Sequence, residues 1–364
     1  MIFSIIIFII TLLVLVLIHE FGHFLMAKKF GIKVEEFGFG IPPRIWGKKF
    51  GETLYSINWL PIGGFVRLQG EDEEGTLDKN KKDSRDFRAK PVSQRIIVVV
   101  AGVIMNLVLA WALFYTVIIA QNFKIIYPVS EPAVYILQVE KDFPAQLAGI
   151  KAGEKLLAID NQQISDIDQA RNFIQTKDEK PLTLTLVDID GKNKREISVT
   201  PKKGEDGRAL IGVVFSPIPF KQYHTPIEKI FSGITYSYDL TKITFVGFAK
   251  LVGDLTTGNF GQASQSVAGP VGLATVTNSI LSTGWEAIVP YIWFVGVISL
   301  TLAIFNVLPI PALDGGRLLF LVIEAVARKK VKEDVEKMVH QVGFIILIAL
   351  AILVTFSDIR KLLP

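Results

Sequence analysis

The chain has 364 residues, no cysteine, half of its residues apolar and a mean hydropathy of +0.42, which excludes an ordinary soluble enzyme and makes long uncharged runs the first features to test as membrane spans. Without cysteine there is no disulfide framework, thiolate zinc site or thiol nucleophile, so any metal must be held by His and carboxylate. The net charge of +4 does not point to nucleic acid, because the basic residues cluster beside the apolar runs and read as topology signals.

The first expected span covers residues 1 to 27. No charged side chain precedes His19-Glu20, and the apolar pattern resumes through Phe24, Leu25, Met26 and Ala27 before Lys28 and Lys29. A removed signal peptide is not expected, since there is no basic n-region and no small-residue cleavage site. Further uncharged runs at Ile96 to Ala120, Ala287 to Leu313 and, shorter, Val342 to Phe356 make about four transmembrane helices, with Leu318 to Ala327 as a short interfacial helix interrupted by Glu324. Between Lys28 and Arg95 lie 14 Lys or Arg, and none lies before the first span. The positive-inside tendency then puts residues 28 to 95 in the cytoplasm, 121 to 286 outside, Arg328 to Lys332 inside and both termini outside. From Glu71 to Lys90, 13 of 20 residues are charged, the composition of a solvated linker.

From Ala133 the pattern becomes soluble and mostly β. Val134 to Val139 reads as a strand, Leu182, Leu184 and Leu186 alternate with Thr183 and Thr185, Asp190-Gly191 sits at a hairpin turn, and Ile197 and Val199 resume the alternation. Asp166 to Gln175 reads as a short helix with Ile167, Ala170 and Ile174 on one face. The stretch from Phe143-Pro144-Ala145 through Ala148-Gly149-Ile150 and Gly153-Glu154 to Asp160-Asn161 resembles a segment of bacterial PDZ domains, with Glu154 where Asp is usual. That resemblance implies a PDZ-like α+β domain over residues 131 to 217, whose groove would take a peptide C-terminus by strand addition. Residues 218 to 284 follow, amphipathic between 224 and 268 and expected to lie on the outer membrane surface. Val267 to Gly272 then punctuates the approach to the third span in the last region, 285 to 364.

His19-Glu20-Phe21-Gly22-His23 is an H-E-x-x-H inside the first span. On a helix, residues i and i+4 share a face, so both imidazoles can reach one Zn2+ while Glu20 acts as general base toward water. The other reading, two structural histidines near the headgroups, must carry an acidic side chain in the bilayer at a cost of roughly 2.5 to 3.5 kcal/mol, which favours a functional role. Counting about 1.5 Å per residue from Phe3 puts His19 roughly 25 Å into a core of about 30 Å, toward the cytoplasmic face. A catalytic zinc needs a third protein ligand. His224 and His340 lie outside that depth, whereas Asp314 ends the third uncharged run in Asn306-Val307-Leu308-Pro309-Ile310-Pro311-Ala312-Leu313-Asp314-Gly315-Gly316-Arg317. Read alone, Asp314 would cap a helix beginning at Gly315; opposite H-E-x-x-H it is the available ligand.

Together, H-E-x-x-H in the first span and N-x-x-P-x-P-x-LDGG at the end of the third resemble the site-2 protease family of intramembrane zinc metalloproteases, in its bacterial PDZ-containing branch. Leu60 to Leu68, Phe87 to Asn106 and Gly269-Pro270 extend the likeness along most of the chain. The resemblance implies that His19, His23 and Asp314 bind one zinc per chain, that Glu20 activates water, and that Asn306, Gly63 and Gly64 help hold substrate. It also implies that residues 54 to 68 form a membrane-associated β-hairpin on the cytoplasmic side, offering an edge to an unwound substrate. The implied substrates are single-span proteins of the bacterial inner membrane, either pre-trimmed anti-sigma factors or remnant signal peptides. Many relatives of this branch carry two PDZ domains and a His after LDGG, whereas this chain has room for one and continues with Arg317. Two other classes stay open from the residues themselves: a divalent-cation transporter and a non-catalytic membrane PDZ scaffold.

Overall fold

The computed structural model describes residues 2–71, 83–127, 129, 132–177, 180–189, 191–204, 207–329 and 331–362. The chain divides into two compact units, Met1–Val117 with Phe248–Pro364, and Ile118–Gly247. Most of the charged stretch 71 to 90 and the turn residue Asp190 lie outside the described residues.

Helix α1 (Ile2–Lys29) is apolar along its length and closes on Lys28 and Lys29, basic residues that suit a helix C-terminus. Strands β1 (Val34–Phe50) and β2 (Thr53–Leu68) form an antiparallel hairpin turning at Gly51-Glu52. It is larger than the 54 to 68 expected. Its register breaks repeatedly: Phe37 faces both Val66 and Tyr55, Gly38 both Phe65 and Ser56, while Gly47 faces Ser56 and Lys48 faces Tyr55. Each strand therefore contributes two segments to the sheet, side by side in the order 64–68, 34–39, 54–57, 46–50. Segment 64–68 is an edge. The outer part exposes Ile45, Trp46, Phe50 and Trp59, large apolar groups that a folded domain surrounded by water seldom presents together. Helix α2 (Val92–Ala120) begins four residues before the expected run and takes Arg95 into its first turn.

The second unit opens with β3 (Lys124–Ile126), β4 (Tyr135–Val139), α3 (Pro144–Leu147), β5 (Lys155–Ile159), β6 (Gln162–Gln163) and α4 (Ile167–Gln175). It continues with β7 (Leu182–Val187), β8 (Arg195–Val199), β9 (Lys202–Lys203), β10 (Ala209–Leu210), β11 (Val213–Ser216) and β12 (Phe220–Gln222). The main sheet runs β11-β4-β5-β7-β8, with β6 paired to β5. Its core is the apolar set read from the sequence, Leu182, Leu184 and Leu186 against Ile136, Leu156 and Ile159, closed by Ala170 and Ile174 of α4. Asp166 caps α4 by accepting from Gln169 N–H at 2.7 Å. Asp160 and Asn161 both have positive φ, which gives the two-residue β5–β6 turn the twist that suits a hairpin.

Helices α5 (Pro226–Ile230), α6 (Ser232–Thr256) and α7 (Phe260–Ser266) occupy the amphipathic region. A helix not expected from the sequence, α8 (Pro270–Leu281), follows. Gly269-Pro270 begins it, with Pro at the first helical position where its missing N–H costs nothing. Helix α9 (Ile288–Val307) stops six residues before the expected end of the third run, because Pro309 and Pro311 cannot continue the helix. The tightly turned link 308–313 leads into α10 (Asp314–Ala327), and α11 (Glu333–Leu362) is twice as long as its uncharged core. Helices α1, α2, α9 and α11 are long and apolar enough to cross a membrane.

Candidate metal centre

The site is built where α1, α2 and the start of α10 meet. Helix spacing brings His19 and His23 to one face of α1, and glycines let α2 approach that face: a side chain on Gly22 would run into the Ala101 backbone, and one on Gly102 into both imidazoles. The bend after α9 delivers the carboxylate. Ala312 is left-handed, with φ 74°, and its N–H donates to His340 Nδ1 at 2.9 Å. Gly315 has no room for a side chain because the Leu308 carbonyl fills that space. The two prolines and the glycines thus turn the chain tightly enough to aim Asp314 back at α1.

Asp314 Oδ2 lies 2.8 Å from His19 Nε2 and 3.2 Å from His23 Nε2, and the two Nε2 atoms are 3.1 Å apart. These three atoms form a nearly equilateral triangle. Donors at about 2.0–2.1 Å from a tetrahedral zinc are separated by about 3.3 Å, so the triangle fits three corners and leaves the fourth open. The donor chemistry, two imidazoles and a carboxylate, is that of a catalytic zinc rather than a closed structural one. Among the described residues it is a His/His/Asp group able to hold a metal ion.

The far side of each imidazole is held as well. His23 Nδ1 lies 2.8 Å from the Val98 carbonyl, to which it must donate, and this leaves the Nε2 lone pair for the metal. His19 Nδ1 lies 3.4 Å from Asn106 Nδ2, while Asn106 Oδ1 is buried without a partner. A half-turn of the amide lets Oδ1 accept from His19 Nδ1–H and satisfies both groups. Ser299 fixes the backbone there by donating to the Asn106 carbonyl at 2.7 Å.

Glu20, His23 and Asp314 share a cavity of about 390 Å3 with Phe65, Val66 and Arg67 of the edge segment. Asn306 Nδ2 is 3.5 Å from His19 Nε2. A Cβ on Gly64 would lie 3.6 Å from Glu20 Cγ, whereas Gly63, at φ 81°, has open space around that position. The structure therefore gathers His19, His23, Asp314, Glu20, Asn306 and Gly64 around one point and puts Gly63 at the bend leading into the edge. Arg317 and Glu71, 246 positions apart and not paired in the sequence reading, form an ion pair on the cavity wall. Gly102 and Asn106, four residues apart on one face of α2, belong to the Phe87 to Asn106 segment that carries the family likeness, but their contacts with the two imidazoles were not read from it.

Residues 7–350 match the model of peptidase family M50. The chain is 31% identical over 432 residues to the zinc metalloprotease RasP of Geobacillus kaustophilus, covering 98% of each. It is likewise 31% identical over 435 residues to the regulator of sigma-W protease RasP of Bacillus subtilis, covering 99% of each. Among solved structures, a PDZ domain of an SdrC-like protein from Listeria innocua matches 23% of this chain and 92% of that domain, at 24% identity and a TM-score of 0.21.

Proposed function

The chain belongs to peptidase family M50 and is a zinc-dependent intramembrane protease; from that premise we propose that His19, His23 and Asp314 hold one zinc and that Glu20 is the general base. The observation that carries this is the triangle of three donor atoms, with Glu20 in the same cavity. Zinc, when bound, polarises a carbonyl and lowers the pKa of water. The chain's own residues supply the rest. Glu20 accepts a proton from the attacking water as the new C–O bond forms, and returns it to the amide nitrogen as the C–N bond breaks, so that a carboxylic acid and an amine leave. Val98 and Asn106 keep both imidazoles in the ligating tautomer. Asn306, whose amide nitrogen lies 3.5 Å from His19 Nε2, is assigned to donate to a substrate carbonyl.

A transmembrane helix hides its amides, so the substrate must be unwound before water can attack. We assign the segment 64–68, with Gly63 and Gly64 at its start, as the edge on which the opened substrate adds as a strand. Its residues Phe65 to Leu68 line the cavity of Glu20. The exposed Trp46, Phe50 and Trp59 suit a hairpin seated in the bilayer interface.

The proposed topology is that of a multi-pass protein of the bacterial inner membrane, with residues 28 to 95 cytoplasmic, both termini outside, and the metal toward the cytoplasmic face. Residues 131 to 217 are the PDZ-like region, on the outside, and 218 to 284 lie along the outer surface. Substrates are single-span proteins already trimmed outside, anti-sigma factors or remnant signal peptides. A relative's name, regulator of sigma-W protease, supports the first. Membership in a peptidase family sets aside the cation-transporter and scaffold readings.

The test is cleavage of a single-span reporter lacking its ectodomain by protein purified in lipid. Glu20→Gln should abolish cleavage while zinc stays near one per chain, and chelation should abolish it in the wild type until zinc is restored. A Glu20→Gln variant that still cuts would remove the general-base role. Wild-type protein without zinc would remove the metal assignment.

A further inference from the structure

Glu71 follows the edge segment 64–68 and donates its N–H to the Leu68 carbonyl at 3.2 Å. Its carboxylate pairs with the guanidinium of Arg317, which lies one turn beyond Asp314 in α10. The pair joins the end of the edge to the helix that carries the third donor. Glu71, Asp314 and Arg317 line both the cavity of Glu20 and a second cavity of about 680 Å3, so this contact stands where the two spaces meet.

The other polar ties at this end run back into the edge's own surroundings. Gln69 N–H donates to the Lys33 carbonyl at 3.0 Å, and the Gln69 amide donates to Asp83 and Asp86 at 3.0 and 2.6 Å. Among the described residues, Glu71–Arg317 is the ion pair that reaches from the hairpin and its flank to α10. At the edge's opposite end, Gly64 lies against Leu17 and Glu20 of α1. The edge is thus held to the site at both ends, sterically at Gly64 and electrostatically at Glu71. The Glu71 side chain is 14% exposed and shares its cavity with Glu20 and Asp314. Without the guanidinium, three carboxylates would face one partly desolvated space.

We propose that the Glu71–Arg317 pair is a positioning clamp that sets the register at which a substrate strand on segment 64–68 meets Glu20 and the metal centre. The inference rests on the reading of that segment as the substrate's docking edge. A shift of the edge by about 3.3 Å equals one residue of strand, so an unclamped edge offers a different peptide bond to the same chemistry. Arg317 acts through Glu71, and its loss reads out as a change in which bond is cut.

The experiment compares wild type, Arg317→Gln, Glu71→Gln and the exchanged pair Glu71→Arg/Arg317→Glu, each purified in lipid with the single-span reporter, with product masses and zinc content measured. The single variants should keep wild-type zinc, lose about tenfold or more in kcat/KM, and cut at neighbouring bonds. The exchanged pair should return most product to the original bond. Single variants that cut only the original bond at the wild-type rate overturn the clamp, as does loss of zinc, which would make the pair a support of the metal centre. A photoreactive residue at Arg67 of the wild-type sequence separates the two readings. Failure to capture the reporter there removes the docking edge and the clamp with it, whereas capture together with unaltered single variants removes the clamp alone.

Discussion

Gly102 shows how little space the proposed metal centre leaves. A Cβ there would lie 2.7 Å from His23 Cε1 and 2.8 Å from His19 Cε1, and both rings are fixed at their far nitrogens, so neither can retreat. Gly102→Ala should therefore weaken zinc binding by about 10- to 100-fold, the range for disturbing the supports of metal ligands. The helix itself should hold, since alanine is the better helix former. Competition with a calibrated chelator, alongside helical content by circular dichroism, measures both; unchanged zinc affinity would mean that α2 can back away. His19, Glu20 and His23 were legible because their relation is local, little more than one turn of one helix. The roles of Gly102, Asn106 and the Val98 carbonyl were not, because what a residue of α2 makes room for or holds belongs to a different helix. Glu154 is similar in the second unit. Its departure from the usual Asp is accommodated by Arg195, which reaches Oε1 at 2.6 Å, and by Lys151 N–H, which reaches Oε2 at 2.8 Å.

At the scale of elements, the spans were legible as uncharged runs, and the sheet of the second unit as alternation. The hairpin was legible only through the family resemblance, as residues 54 to 68, and α8 was not legible. Strand β1 mixes glycine, proline and charge, so it lacks a period-two pattern; its pairing comes from folding back on β2 in several registers. Gly269-Pro270 was readable as a break, but the helix it begins is fixed by a residue almost ninety positions away. Asp358 of α11, only 3% exposed, accepts from Gly269 N–H at 2.9 Å and Gly272 N–H at 2.8 Å. It caps α8 from outside and places a negative charge at the helix's positive end. A side chain on Gly269 would collide with it, and one on Gly272 would crowd it. Since α8 also holds α1 through Ser4 and Asn278, 3.0 Å apart, Asp358→Ala should loosen the helices around the site. An expected loss of about 1 to 2 kcal/mol, the scale of a lost cap, would show in denaturant unfolding of the detergent-solubilised protein. Stability equal to wild type would mean that water replaces the carboxylate.

For the molecule as a whole, the question is whether the second unit selects substrates, and its topology makes the test clean. Strands β3 and β12 pair antiparallel, Ile126 opposite Phe220, and Tyr127 N–H donates to the Pro219 carbonyl at 2.8 Å. The chain thus enters and leaves the 131 to 217 region side by side. A short Gly/Ser loop can close the ribbon in place of the whole region, because closing a gap between adjacent strands is a hairpin problem and costs little. The core removed is also self-contained, Ile136, Leu156, Leu184 and Ile174 packing on one another. The deletion should therefore leave the metal centre intact. If the region acts as a size filter, the shortened protein gains cleavage of a reporter with its full ectodomain, which the complete chain spares. If it reads the new C-terminus of a trimmed substrate, trimmed reporter is cut more slowly and the untrimmed one stays refractory. Unchanged rates on both, with zinc still near one per chain, would refute selection by this region.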